Sequence, residues 1–147
     1  AAAATGPQTE TLGAGSMAPV MTGSRIIFLD DESDITDLGK ALLEKHGYQV
    51  LVFNDSQTAL EHIHRTPHDF DLLITDLTMP HLTGIQVADE VRLIRPEMPV
   101  ILITGFNDIP DDEYAKHPQI QGVLRKPFGG NTLRDTVGRI LHKSIGD

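Results

Sequence analysis

Asp71-Leu72-Leu73-Ile74-Thr75-Asp76-Leu77-Thr78-Met79-Pro80 is the stretch around which the rest of the chain is arranged. Leu72 to Ile74 is a short apolar run that leads into an aspartate, with a proline four residues after it. A run of this length between turn formers reads as a strand buried on both faces, the kind found inside parallel sheets. A carboxylate just past the C-terminal end of such a strand stands where open α/β sheets gather their ligand chemistry. Position alone leaves two readings of Asp76 open: a loop residue capping the next helix, or a functional carboxylate.

Strand and helix signals alternate on both sides of this stretch. Upstream, Ile26-Ile27-Phe28-Leu29 is a buried-strand run ending in Asp30-Asp31-Glu32. Ser33 or Asp34 then caps a helix with Ile35, Leu38 and Leu42 on its apolar face and Gly47 as its stop. Tyr48 to Phe53 reads as a second strand, and Asn54-Asp55-Ser56 caps a helix through Ala59, Leu60 and Ile63 that closes before Pro67. Downstream, Gly84 opens a helix with Ile85, Ala88, Val91 and Ile94 on one side, ending before Pro96. Val100 to Ile103 is a fourth strand, followed by Thr104-Gly105. A short helix between Pro110 and Pro118 comes next, proline being tolerated in a first turn and just past an end. Gln121 to Arg125 is a fifth strand, and a last helix from Asn131 carries Leu133, Val137, Ile140 and Leu141. Five βα units predict an α/β fold with a doubly wound, five-stranded parallel sheet.

Residues 1–24 differ in composition from everything after them. Eighteen of these 24 residues are Ala, Gly, Ser, Thr or Pro, too little apolar surface to offset the entropy of ordering. The expected organisation is therefore a flexible linker or tail over 1–24 and one domain over 25–147. Gly13-Ala14-Gly15-Ser16-Met17-Ala18 loosely matches a dinucleotide-binding glycine pattern, but no strand precedes it and no helix follows. Net charge is -9, which argues against a nucleic-acid surface or an anionic membrane patch and suits a cation site or a basic partner. The absence of cysteine excludes disulfides and thiol chemistry and fits a cytoplasmic setting. No stretch is apolar enough for long enough to span a membrane.

In a parallel sheet every strand C-terminus lies on one edge. Asp30 and Asp31, Asp76, Thr104 and Lys126 follow or end the first, third, fourth and fifth predicted strands, so they converge there. Two unit charges about 4 Å apart repel by roughly 4 kcal/mol at an effective dielectric near 20, so crowded carboxylates need a counter-ion. Hard oxygen ligands suit Mg2+. Lys126 supplies a point charge of the kind used on phosphate, and Thr104 a hydroxyl that can turn towards a new anion. Carboxylate nucleophile, divalent cation, lysine and hydroxyl together make a site for phosphoryl transfer onto an aspartate. Seven histidines are present, but His62 and His64 would point to different faces of a helix, and the histidines read as scattered over the surface.

From Arg25 to about Ser144 the chain resembles the receiver domain of two-component response regulators. The matching motifs are Phe28-Leu29-Asp30-Asp31-Glu32, Thr75-Asp76-Leu77-Thr78-Met79-Pro80 with Leu82-Thr83-Gly84, Ile103-Thr104-Gly105, and Lys126-Pro127-Phe128. The resemblance implies a (βα)5 flavodoxin-like fold with strand order 2-1-3-4-5. It implies that Asp76 accepts a phosphoryl group from a histidine kinase or histidine phosphotransfer domain. Asp31 would then bind Mg2+ directly, Asp30 mainly through water, and Thr78 through its backbone carbonyl. Thr104 would be the switch hydroxyl, Lys126 the phosphate-pairing lysine, and Lys126-Pro127 a cis peptide. A domain of this kind catalyses only its own phosphorylation and dephosphorylation, and is expected as a monomer or weak homodimer without direct membrane contact.

The sequence departs from the family in one informative place, and two residues beside the switch threonine add to it. Val123 stands three residues before the lysine, where the family usually carries a rotating aromatic. Gly105 replaces the commoner alanine and would loosen its loop. Phe106 has bulk that would hinder water and slow self-dephosphorylation. A phosphatase using an aspartyl-phosphate intermediate needs a second aspartate two residues after the nucleophile, and Thr78 occupies that position. A receiver acting as a docking module without phosphorylation would not need all five site residues. The low-complexity lead-in and a chain ending soon after the last helix fit the C-terminal receiver of a hybrid sensor histidine kinase, tethered to a membrane-bound sensor. The alternatives are a stand-alone single-domain regulator and a regulator trimmed of its output domain.

Overall fold

The computed structural model describes residues 24–105 and 116–146. In chain order the elements are β1 (Arg25–Leu29), α1 (Ser33–Glu44), β2 (Gln49–Phe53), α2 (Ser56–Arg65), β3 (Leu72–Asp76), α3 (Gly84–Ile94), β4 (Val100–Thr104), β5 (Ile120–Arg125) and α4 (Gly130–Gly146). All strand pairings are parallel and the sheet order is β2-β1-β3-β4-β5, as the resemblance implied. The predicted helix between Pro110 and Pro118 falls mostly outside the described residues, as does Phe106, and the segment Lys116 to Gln119 forms a turn. The proposed tail lies outside them too, except for Ser24.

Side chains alternate across a strand, so an apolar run needs cover on both faces. Leu72 and Ile74 enter one core with Ile26, Phe28, Leu43, Leu133 and Val137, between the sheet and the pair α1 and α4. Leu73 enters the other with Ile27, Leu29, Ile63, Val87 and Val91, beneath α2 and α3. Each such side chain, fully buried, contributes roughly 1.5–3 kcal/mol. Every residue of β3 and β4 is buried, whereas edge strands β2 and β5 mix buried positions with half-buried and exposed ones. The central strands are thus the ones whose ends lie deep inside the sheet edge.

Two details of α1 differ from expectation. Its N-cap is Glu32, which makes no side-chain cap bond, and Ser33 is the first helical residue. The inward face is Thr36, Gly39 and Leu43, with Gly39 against the Phe28 ring, while Leu38 is 47% exposed. That i, i+3, i+7 spacing carries Leu38 away from the core, and Ile35 and Leu42 pack only partly against it. Gly47 ends the helix region with φ 94, a left-handed conformation that glycine adopts without a Cβ penalty. The α2 N-cap is as expected: the Asp55 carboxylate accepts from the Thr58 amide. A capping box opens α3, Thr83 Oγ1 accepting from the Gln86 amide while the Gln86 side chain accepts from the Thr83 amide.

Candidate functional site

Asp76 is the last residue of β3, paired with Ile103 of β4, and not a residue just past the strand end. The Leu77 amide extends the ladder by donating to the Ile103 carbonyl at 2.8 Å. Gly84, at the start of α3, passes so close that a Cβ there would sit 2.3 Å from the Asp76 carbonyl oxygen. Thr83 caps α3 and the Gly84 amide donates to the Leu77 carbonyl at 2.8 Å, so Asp76 is not the cap of the following helix.

Asp30 follows β1 and is fully buried. Its amide donates to the Phe53 carbonyl at 3.1 Å, and its Oδ1 accepts from the Glu32 amide at 2.9 Å. Asn54, at the end of β2, donates from Nδ2 to the Asp30 carbonyl at 2.7 Å and to Thr36 Oγ1 at 3.1 Å. These bonds lock the loop between β1 and α1 in place. Asp31 is exposed beside them, and carboxylate oxygens of Asp30, Asp31 and Asp76 lie within 4.8 Å of one another.

Lys126 reaches this group from the end of β5. Its Nζ lies 2.9 Å from Glu32 Oε1, 3.3 Å from Asp30 Oδ2 and 3.4 Å from Asp76 Oδ1. The Lys126 amide donates to the Thr104 carbonyl at 2.9 Å, tying the ends of β4 and β5 together, and the Lys126-Pro127 peptide is cis. Thr104 is fully buried, and its hydroxyl donates to the Leu124 carbonyl at 3.5 Å, the long limit of a hydrogen bond. Thr78 is exposed in the bend two residues after Asp76. Val123 sits on β5 opposite Leu102 and is 38% exposed.

Burial dominates the electrostatics of the two carboxylates deepest in the site. Burial pushes the Asp30 carboxyl up to about 6, with the Glu32 amide working against the shift and the Asp76 charge adding to it. Burial raises Asp76 as well, opposed by Lys126 and assisted by Asp31 and Glu32. Burial alone would lower Lys126, but the hydrogen bond to Glu32 and the charges of Asp30 and Asp76 outweigh it and hold the ammonium above its ordinary range. Lys126 thus faces Asp30, Asp76 and Glu32 at once, with the Asp31 carboxylate beside them. Asp30 Oδ2 is buried and, though near Lys126, accepts no well-directed hydrogen bond. An oxygen left in that condition, beside two more carboxylates, fits a hard divalent cation such as Mg2+.

The residues expected at the sheet edge, Asp30, Asp31, Asp76, Thr104 and Lys126, are brought together there. Glu32 and Asn54 were missed as site residues. Glu32 was visible as the third acid of its run, whereas nothing in the sequence signals that Asn54 reaches across 24 positions to the Asp30 carbonyl. Two histidines also depart from surface scatter. His62 lies between Phe53 and Phe70, 5.4 Å from each ring centroid, and His117 Nδ1 is 2.8 Å from Asp89 Oδ1.

A family model for the response regulator receiver domain matches residues 26–138. The chain is 35% identical over 116 residues to the response regulator receiver protein CpdR of Brucella abortus (strain 2308), covering 79% of this chain and 92% of that protein. It is 31% identical over 121 residues to the transcriptional regulatory protein CpxR of Escherichia coli (strain K12), covering 82% of this chain and 50% of CpxR. The crystal structure of a response regulator receiver domain protein from Clostridium thermocellum superposes with a TM-score of 0.76 at 31% identity, over 82% of this chain and 96% of that one. With the sheet order, the acidic cluster and the lysine agreeing, the chain belongs to the receiver-domain family of two-component response regulators.

Proposed function

We propose that Asp76 accepts a phosphoryl group from a phosphohistidine carried by a histidine kinase or a histidine phosphotransfer domain. One observation carries this reading: a buried Asp76 carboxylate meets the Lys126 ammonium at 3.4 Å beside the carboxylates of Asp30 and Asp31. Asp30, Asp31, Asp76 and the Thr78 backbone carbonyl would hold Mg2+. When bound, that ion would neutralise the crowded carboxylates and the charge on the phosphoryl oxygens.

An Asp76 carboxylate oxygen forms the new P–O bond as the donor's N–P bond breaks, the electron pair remaining on the imidazole nitrogen. Lys126 opposes protonation of Asp76 beforehand and pairs with the phosphoryl oxygens afterwards. Thr104 exchanges its long bond to the Leu124 carbonyl for a charge-assisted one to the phosphoryl group, which is the stronger of the two. That exchange biases the end of β4 between two pre-existing arrangements. Val123 has no ring to rotate, so the signal leaves through Thr104 and the backbone after it.

On this reading the domain turns over only its own phosphoryl group. Its span is 25–147, with 1–24 as linker or tail. The low-complexity composition of 1–24 supports the receiver of a hybrid sensor histidine kinase. The 92% coverage of CpdR supports the alternative of a single-domain regulator, and the full reading frame decides between them. No described helix is long and apolar enough to cross a membrane.

Beryllofluoride, a phosphoryl mimic, tests the site without a donor. With Mg2+ present, amide resonances around Asp76, Thr104 and Lys126 should shift in the wild type and stay in place in Asp76→Asn. Equal responses would contradict the assignment of Asp76.

A further inference from the structure

We infer that Glu32 is a positioning residue, the resting partner that holds Lys126 away from full engagement with Asp76 and sets how readily the lysine transfers to an arriving phosphoryl group. The inference rests on the phosphoacceptor reading of Asp76. Of the three carboxylates around Lys126 Nζ, Glu32 is the nearest at 2.9 Å and makes a directed hydrogen bond; Asp30 and Asp76 stand off at 3.3 and 3.4 Å. Glu32 occupies the N-cap of α1 yet gives its own helix no side-chain bond. Its carboxylate instead crosses to a residue 94 positions away, linking the loop after β1 to the loop after β5.

The two ends of this pair differ in environment. The Glu32 side chain is 61% exposed and that of Lys126 23%, so Glu32 can release the lysine and be rehydrated at little cost, whereas the buried Asp30 cannot. Both residues line one groove of about 410 Å³ with Ile35, Leu38, Gly105, Pro127 and Phe128, so solvent reaches the exchange. A phosphoryl group on Asp76 needs donors, and the lysine serves it only to the extent that it leaves Glu32. Glu32 therefore competes with the phosphoryl oxygens for a single ammonium.

The test is the affinity of the full chain for beryllofluoride at saturating Mg2+, in wild type, Glu32→Gln and Glu32→Asp, with Mg2+ affinity measured separately. Glu32→Gln removes the charged partner and should bind beryllofluoride more tightly by up to about 5-fold, the upper end of what an exposed ion pair contributes. Glu32→Asp keeps the charge but is one methylene too short for the contact, so it should follow Glu32→Gln. The 15N resonance of Lys126 Nζ in metal-free Glu32→Gln should move from its wild-type position in the direction that beryllofluoride moves it in the wild type. Unchanged or weaker binding by Glu32→Gln would overturn the inference, and so would a Glu32→Asp variant indistinguishable from wild type, because bulk repulsion of anions would then explain the result. Failure of wild type and variants alike to bind beryllofluoride marks a different error, in the reading of Asp76 itself, and withdraws both.

Discussion

The contact between Gly84 and Asp76 places the tightest steric constraint on the site. No side chain fits between the first turn of α3 and the Asp76 carbonyl, because a Cβ would lie 2.3 Å from that oxygen and 2.7 Å from the Leu102 side chain. Gly84→Ala must therefore push α3 off the end of β3. Its expected cost is about 1–3 kcal/mol, the usual range for overpacking, read as a lower urea midpoint with an unchanged slope. A variant as stable as the wild type would show that α3 can shift freely. At this scale Asp30, Asp31, Asp76, Thr104 and Lys126 were legible in the sequence, because a parallel sheet puts all strand ends on one edge. Asn54 was not, because its bonds to the Asp30 carbonyl and Thr36 depend on where β2 ends beside β1. Glu32 was legible as an acid but not as the lysine's partner, since that depends on which way its side chain leaves the N-cap.

Among the elements, helix starts separate what periodicity can tell from what it cannot. Strands were readable to within a residue or two, because buried runs such as Val100 to Ile103 end abruptly. The inward face of α1 was misread, since Leu38 is apolar yet exposed and the helix turns Gly39 and Thr36 inward. Gly39 carries no hydrophobic signal, and Phe28 occupies the space a larger residue would need. Capping gives a paired prediction. Thr83→Ala breaks the capping box and should cost about 1 kcal/mol. Ser33→Ala should change stability by less than about 0.5 kcal/mol, because Ser33 is inside α1 and not its cap. Chemical denaturation of both variants checks this, and a larger loss for Ser33→Ala would restore the cap role expected from the sequence.

Across the whole molecule, the site trades stability for readiness to bind. Asp30 holds its proton up to about 6, whereas in the unfolded chain it titrates near 3.8. Between those values the folded state binds more protons than the unfolded one, so this group makes stability fall as pH rises through the window. For Asp30 alone the fall from about pH 5 to about pH 7 is on the order of 1 kcal/mol, and Asp76 shifts in the same direction. The raised Lys126 acts in the same direction but only above the ordinary lysine range, and the lowered Asp55 and Glu97 act in the opposite direction but only below the ordinary carboxylate range. Metal-free protein should therefore unfold at a higher temperature near pH 5 than near pH 7, and added Mg2+ should stabilise it more at the higher pH. Asp30→Asn should flatten the pH dependence and lose much of the Mg2+ effect, measured by thermal melts. An unaltered profile would detach Asp30 from both.

The most direct test of the account is incubation with acetyl phosphate and Mg2+, followed by intact mass and mapping of the modified peptide. One phosphoryl adduct is expected on the peptide that contains Asp76, cleaved by hydroxylamine as an acyl phosphate is, and none on Asp76→Asn. An adduct of equal yield on the variant, or one that maps away from the end of β3, would contradict the account.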